Sequence, residues 1–147
     1  TRYILMRFVP SSKQESDWYE HMSTAADTVH WKIVRVGKTI GVTGLHSIDH
    51  LNGLATTGTI IGDRSQHGQG FGSEVVRLRT DYAFQELNLQ RLETESLTEN
   101  VAMHRCLEKV GYQKIGRRRR RIWRGGVWHD SFIFELLRED WQQRLES

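Results

Sequence analysis

Alternating apolar and polar positions are the main structural signal in the first part of the chain. Val29, Trp31 and Ile33 lie two residues apart, which is the period of a strand that buries one face. A glycine-lysine pair follows at residues 37–38 and predicts a turn. Two further strands are expected after that turn, at residues 39–45 and 55–61.

Helical spacing replaces this alternation further along the chain. Ser12 followed by Glu15 is a capping-box pattern, which predicts a helix through residue 25. The main helix is expected at residues 72–87. Its predicted apolar face consists of Phe71, Val75, Leu78 and Tyr82.

A strand at residues 91–97 and a shorter helix come next. The apolar positions of that helix are Met103, Cys106, Leu107 and Val110. Thr98 or Asn100 can cap its start, and Gly111 suits a left-handed end. The single cysteine, Cys106, is therefore expected in the core. A terminal hairpin is predicted at residues 112–137, turning at Gly125 and Gly126.

The 147 residues predict one domain, 1–147, with a mixed α/β fold. Strands lie on both sides of the main helix, so the central sheet is expected to be mostly antiparallel, with helices flanking it.

Glycines at every second position separate the third strand from the main helix. Gly68, Gly70 and Gly72 stand directly before or at the helix start. Backbone N–H groups can approach a ligand closely there, and the helix N-terminus adds partial positive charge. This combination favours an anion site, most often for phosphate. A flexible strand-to-helix turn is the alternative.

Two common phosphate motifs fit this loop poorly. A P-loop would end in Gly-Lys-Ser/Thr, which the chain does not contain. A dinucleotide fingerprint matches Gly68, Gly70 and Ser73 in spacing, but residues 63–67 separate it from its strand. The alternating strand–helix units of a doubly wound sheet are not predicted either.

At this loop and the later helix, the chain resembles the GNAT superfamily of acetyl-CoA-dependent N-acetyltransferases. In the family loop, Gln/Arg-x-x-Gly-x-Gly/Ala, the two small positions are matched by Gly70 and Gly72, and His67 stands where the family has Gln or Arg. The later helix is matched by Asn100, Glu108, Lys109, Gly111 and Tyr112. The wider pattern is similar to the branch that includes ribosomal-protein and polyamine acetyltransferases. The family's first strand has no clear counterpart before Pro10.

The resemblance implies acetyl-CoA as the cofactor, used as a co-substrate. Its pyrophosphate would lie on the backbone of the loop, and its pantetheine arm would pair with residues 58–61 as an added strand. Asn100 would hydrogen-bond the arm. The implied cofactor-binding residues are Ile60, Ile61, His67, Gly68, Gln69, Gly70, Phe71, Gly72 and Asn100.

The implied reaction is direct attack of a primary amine on the thioester, within a ternary complex. The acceptor would be a protein N-terminus, a polyamine or another small amine. Glu93 and Glu95 are the predicted catalytic bases, with Asp49 and His46 next. The position where many relatives carry a tyrosine acid is Leu107, which cannot donate a proton.

Five consecutive arginines at residues 117–121, with Arg124, account for more than the whole formal net charge of +3. An acidic partner or a charged strand edge would each explain them. Strand alternation would place Arg117, Arg119 and Arg121 on one side. Trp123 and Trp128 suit cross-strand packing more than base stacking. The alternative function is a non-catalytic module that binds acyl-CoA or RNA, although nucleic acid is the less favoured partner.

Few other features suggest further partners. His46 and His50 have a metal-like spacing, but they are expected in a loop without enough ligands, so no metal is predicted. No membrane-span pattern or signal peptide is found. A cytoplasmic location follows from the cofactor, and a homodimer is one of the open oligomeric states.

Overall fold

The computed structural model describes residues 27–61 and 71–147. The elements in this part are β1 (Val29–Arg35), β2 (Lys38–Asp49), β3 (Leu54–Ile61), α1 (Phe71–Gln85), β4 (Arg91–Leu97), α2 (Val101–Val110), β5 (Gln113–Arg124), β6 (Val127–Leu137) and α3 (Arg138–Glu146). The predicted helix at residues 12–25 and the question of a first strand lie outside the described residues.

The described strands form one six-stranded sheet in the order β1-β2-β3-β4-β6-β5. The β3–β4 pair is parallel, and the other four neighbouring pairs are antiparallel. A parallel pair needs a crossover connection, because the chain has to return to the same end of the sheet, and α1 lies in that connection. This arrangement confirms the predicted mixed α/β fold with a mostly antiparallel sheet.

One face of the sheet carries the hydrophobic core. Leu45, Leu92 and Phe134 are fully buried there, and we call this side the helix face. The helices contribute further buried residues to the same core: Val76, Ala83 and Phe84 from α1, Leu107 and Val110 from α2, and Trp141 from α3. Cys106 packs against this core, as the sequence predicts.

The opposite face is polar, and strand register defines it. His46 pairs with Thr56, which pairs with Glu93, which pairs with Glu135. Side chains of directly paired residues project on the same side of a sheet. We call the side that carries His46, Thr56, Glu93, Glu95 and Ser131 the polar face.

The buried face of α1 differs from the prediction. The residues that enter the core are Ser73, Val76, Arg79, Thr80, Ala83 and Phe84. The predicted face, Phe71, Val75, Leu78 and Tyr82, instead lines a cavity of about 580 Å³ against β1 and β2. The polar residues Arg79 and Thr80 are buried on the core side, so apolar spacing alone points to the wrong stripe.

The segment after residue 45 is a strand and not the predicted loop. β2 continues to Asp49, so His46 lies within the sheet. The register shifts between His46 and Asp49, and Ser47 adopts a positive φ of 49°. This bulge breaks the alternation that would have identified the strand from sequence.

The ends of α2 and the hairpin turn agree with the prediction. The Asn100 side chain accepts a hydrogen bond from the Met103 backbone N–H at 3.3 Å, and Gly111 ends the helix with φ 120°. Gly125 and Gly126 turn the hairpin with φ 60° and 77°. Among the residues that the structure describes, no helix is long and apolar enough to cross a membrane.

Candidate active site

β3 and β4 pair for only four residues before their ladder ends. Parallel pairing runs from Leu54 opposite Arg91 to Thr57 opposite Thr94. Beyond that point β3 still pairs with β2 as far as Ile61, and β4 still pairs with β6 as far as Leu97. We call the resulting separation the splay. Its β3 side presents the backbone of residues 58–61, which has no β4 partner among the described residues.

Thr94 fixes the point where the splay begins. Its hydroxyl donates to the Thr57 carbonyl oxygen at 3.0 Å, and both residues are buried. This bond ties the last paired positions together on the helix face. An extended arm of backbone-like amides entering the splay could continue the sheet on β3.

Two histidines lie on the polar face next to the splay. The His30 and His46 rings stack edge to face at 4.7 Å. A Cβ on Gly44 would lie 2.8 Å from His30 Nδ1, so glycine makes room for that ring. A Cβ on Gly58 would lie 3.7 Å from His46 Nε2, which places this imidazole directly beside the splay.

The surroundings of both imidazoles lower their pKa and so favour the neutral form. Burial lowers the pKa of His46, and the charges of His30 and Arg79 lower it further, while Asp27 opposes them. Burial also lowers the pKa of His30. A neutral imidazole can accept a proton.

Arg79 is a buried cation on the helix face of the splay. Its exposed fraction is 2%, and burial lowers its pKa. Its Nη1 donates to the hydroxyls of Thr43 and Thr59, which links α1 to β2 and β3. Thr59 belongs to the splayed part of β3. Arg79 is therefore placed to hold that strand in position and to supply positive charge close to it.

The two predicted bases take part in separate ion networks. Arg91 donates to Glu93 at 2.8 Å and to Glu135 at 3.0 Å. Glu95 accepts from Arg118 at 3.3 Å, from Arg121 at 3.0 Å and from the Ser131 hydroxyl. Glu95 follows Thr94 directly, so this second network lies at the splay.

The predicted cofactor-binding residues are only partly within the described chain. Ile60 and Ile61 end β3, Phe71 and Gly72 begin α1, and Asn100 caps α2. His67, Gly68, Gln69 and Gly70 lie outside the described residues. A Cβ on Gly72 would meet Cys106 Sγ at 2.8 Å, so this glycine is also needed where α1 packs on α2.

Leu107, at the position where many relatives carry a tyrosine, is fully buried. Tyr112 is buried as well, and its hydroxyl shares a hydrogen bond with Thr80 at 2.8 Å. Burial raises the pKa of Tyr112. This phenol therefore stays protonated at neutral pH.

The arginine run does not alternate as predicted. Arg118 is paired with Ser131 and Ile122 with His129, so β5 carries two extra residues at this point. Arg120 adopts a positive φ of 53° within this bulge. As a result, Arg118 and Arg121 reach the same carboxylate, whereas Arg117 binds Asp130 instead.

Two further expectations concern nearby side chains. Trp123 and Trp128 form the predicted cross-strand pair, with ring centroids 5.3 Å apart. Asp49 Oδ1 accepts hydrogen bonds from the Leu51 and Asn52 backbone N–H groups, each at 3.0 Å. Through these contacts Asp49 stabilises the turn after β2. Within residues 27–61 and 71–147, no group of three His, Cys, Asp or Glu side chains could hold a metal ion.

The fold and the splay now allow comparison with known proteins. The family model for the acetyltransferase (GNAT) domain matches residues 1–113, which is most of the chain. The chain belongs to this family. Membership confirms the resemblance drawn from the glycine loop and the Asn100 helix.

Individual relatives agree with this assignment. The chain is 40% identical over 81 residues to the probable N-acetyltransferase YjcK of Bacillus subtilis (strain 168), covering 55% of this chain and 45% of that protein. It is 36% identical over 102 residues to the uncharacterized N-acetyltransferase p20 of Bacillus licheniformis, covering 69% and 57%. The chain thus spans about half the length of these relatives.

A solved structure shares the fold. The spermidine N-acetyltransferase of Vibrio cholerae, in complex with CoA and spermine, superposes with a TM-score of 0.86. The match covers 95% of this chain and 83% of that one at 19% identity. At this identity the likeness concerns the fold alone.

Sequence reasoning missed two site residues, Arg79 and Ser131, and the convergence of Arg118 and Arg121 on one carboxylate. Arg79 was not singled out because a charged residue inside a helix normally faces solvent. Ser131 carried no motif. The pairing of Arg118 with Arg121 depends on the β5 bulge, which no residue type in the run signals.

Proposed function

We propose that this chain is an acetyl-CoA-dependent N-acetyltransferase that transfers an acetyl group to a primary amine. The observation that carries the proposal is the splay, whose exposed β3 backbone at residues 58–61 fits an extended amide-containing arm. Family membership supports the same cofactor. The relatives named N-acetyltransferases support the same reaction class.

The cofactor would be held mainly by backbone groups. Residues 58–61 would pair with the pantetheine arm on the side facing β4. Phe71 and Gly72 lie in the first turn of α1, where N–H groups have no intrahelical partner and can face phosphate. His67, Gly68, Gln69 and Gly70 complete the predicted phosphate loop. Asn100 uses its side-chain oxygen as a cap, which leaves its NH₂ group for the arm.

Acetyl-CoA would supply an acetyl group activated as a thioester. The acceptor nitrogen would form a bond to the acetyl carbon, the carbon–sulfur bond would break, and its electron pair would leave on sulfur, which takes up the proton that the nitrogen loses as the amide forms. A backbone N–H of residues 59–61 would stabilise the negative charge that develops on the carbonyl oxygen. The amine loses one proton before attack, because a protonated amine has no lone pair.

Three groups on the polar face could accept that proton: Glu93, Glu95 and His46. Both Glu95 oxygens already accept hydrogen bonds from Arg118, Arg121 or Ser131, so an incoming amine must compete for them. Glu93 is bound to Arg91, at the end of β4 away from the splay. His46 lies beside Gly58 and is held neutral by burial. The position of His46 makes it the strongest of the three candidates.

Cofactor binding is the first test. Acetyl-CoA should bind and raise the Tm, since a ligand selective for the folded state stabilises it. Gly70→Asp should abolish both effects by placing a negative side chain in the phosphate loop. His67→Ala should weaken binding by the value of about one hydrogen bond, ~0.5–1.5 kcal/mol. Calorimetry that detects no acetyl-CoA binding to the parent, or equal binding to Gly70→Asp, would show the proposal to be wrong.

A further inference from the structure

Two arginines converge on one carboxylate at the splay. Arg118 Nη1 lies 3.3 Å from Glu95 Oε1, and Arg121 Nε lies 3.0 Å from Glu95 Oε2. The side chains of Arg118 and Arg121 are 51% and 37% exposed, whereas that of Glu95 is 16% exposed. The carboxylate is thus the inner layer of the cluster, and the guanidinium groups are its accessible surface.

The backbone of β5 is built to bring these arginines together. In a regular strand, residues three apart would project to opposite faces. Here two extra residues shift the register between Arg118 and Ile122. The Arg120 backbone N–H donates to Asp130 Oδ1 at 2.8 Å, which anchors the bulge on β6.

The charge balance differs between the two ends of β4. At its start one arginine, Arg91, is shared by two carboxylates, Glu93 and Glu135. At its end two arginines share one carboxylate, Glu95. The polar face therefore has excess negative charge away from the splay and excess positive charge beside it.

Donors remain in the cluster after Glu95 has been satisfied. A guanidinium group has five N–H donors in a planar fork. Glu95 takes one nitrogen each from Arg118 and Arg121. In the part of the chain that the structure describes, their other nitrogens have no hydrogen-bond acceptor. Such forks match a carboxylate in geometry as well as in charge.

We propose that Arg118 and Arg121, ordered by Glu95, bind a carboxylate of the acceptor, so that the acceptor is a carboxylate-bearing amine and not a polyamine. This inference rests on the proposed function, because it assigns the substrate class of the same site. A polyamine brings several positive charges to a surface that is already positive, which disfavours its binding.

Matched amines test this directly. Each pair contains an amino acid and the amine formed by removing its α-carboxylate. The pairs are ornithine with putrescine, lysine with cadaverine, and glutamate with γ-aminobutyrate. Acetyl transfer is measured as CoA release, and kcat/KM is compared within each pair. The parent should favour the member with the additional carboxylate by about 10- to 100-fold, the range expected for a hydrogen-bonded charge. Added salt should raise KM for that member.

Variants locate the effect. Arg118→Gln with Arg121→Gln should bring the ratio close to one while leaving acetyl-CoA affinity unchanged. Arg118→Lys with Arg121→Lys keeps the charge without the fork and should give an intermediate ratio; this pair also serves if the glutamine pair folds poorly. Arg117→Gln is the control, because Arg117 is bound to Asp130 and not to Glu95. It should keep the parent's ratio.

A binding readout covers the case of no turnover. The Nε–Hε NMR signals of Arg118 and Arg121 are followed while N-acetylglycine, a carboxylate-bearing acetylated product, is added. Both signals should shift, and the Arg117 signal should not. A ratio at or below one, a ratio unchanged in the glutamine pair, or an absence of shifts would each overturn the inference. Failure of acetyl-CoA binding in calorimetry would instead count against the proposed function.

Discussion

Alternate residues of β4 project to opposite faces of the sheet and contribute to the protein in different ways. Leu92, Thr94 and Ser96 are buried on the helix face. Glu93 and Glu95 on the polar face are partly exposed and bound to arginines. On the first side, packed volume determines what a residue contributes. On the second, charge and hydrogen-bond geometry do. Between Leu92 and Ser96, stability and chemistry are therefore assigned to alternate residues, and substitutions can test that separation.

The largest expected effect is on the helix face. Leu92 is fully buried, so Leu92→Ala should lower the free energy of unfolding by about 2–5 kcal/mol through lost burial and a cavity. The adjacent change Glu93→Gln breaks a partly exposed ion pair and should cost at most about 1 kcal/mol. Urea unfolding monitored by circular dichroism measures both. Similar losses from the two variants would contradict the division between the faces.

A smaller effect is expected where the helices meet. A methyl group on Gly72 would press on Cys106 Sγ, so Gly72→Ala should cost about 1–3 kcal/mol, as overpacking usually does. Adding Cys106→Ala should restore most of this loss if space is the cause. Gly116→Ala is the matched control, because its Cβ would meet no atom within 4 Å. A loss that persists in the double variant would assign Gly72 another role.

The smallest effect is a pH dependence on the polar face. His46 has its pKa lowered from 6.5 by burial, with the charges of His30 and Arg79 adding to this and Asp27 opposing it. The unfolded chain therefore takes up the proton first as pH falls. The stability contributed by neutral His46 is present above pH 6.5 and is lost as the pH falls through the lowered pKa.

Thermal unfolding between pH 8 and pH 5 can isolate this contribution. The Tm of the parent should fall more steeply on acidification than that of His46→Gln, which cannot titrate. His50→Gln, at an exposed turn position, should retain the parent's slope. Equal slopes for the parent and His46→Gln would show that the imidazole takes up its proton as easily in the folded state.

Much of the fold could be predicted because local signals agreed with it. The predicted strand at residues 91–97 coincides with β4. The α2 helix was identified by Asn100 and Gly111, whose capping roles need only local backbone contacts. The glycine pair identified the hairpin turn, since both residues require positive φ.

Other elements depend on contacts between distant residues. α3 has an N-cap without a side-chain hydrogen bond. Its place is set by Trp141, which packs on Phe84 and donates to Asp81 at 2.8 Å. The buried stripe of α1 contains Arg79, whose partners Thr43 and Thr59 come from two strands. Nothing near these residues in sequence indicates such contacts.

The candidate site was predictable in outline. The family motifs indicated the elements that we propose to hold the cofactor, but the roles of individual acidic residues depend on their partners across the sheet. In the sequence Glu95 has no basic residue within three positions. In the fold it receives Arg118 and Arg121 across β6.

The bulge in β5 has a consequence for how such a protein can change over evolutionary time. Residues 117–121 are all arginine, so the residue types in this part of the strand do not show which side chains reach Glu95. The number of residues between Arg118 and Ile122 determines on which side of the sheet each guanidinium group lies. Insertion of one uncharged residue there would turn guanidinium groups from one side of the sheet to the other while preserving every charge. In this segment, a change in length can therefore redirect the arginines without any change in residue type.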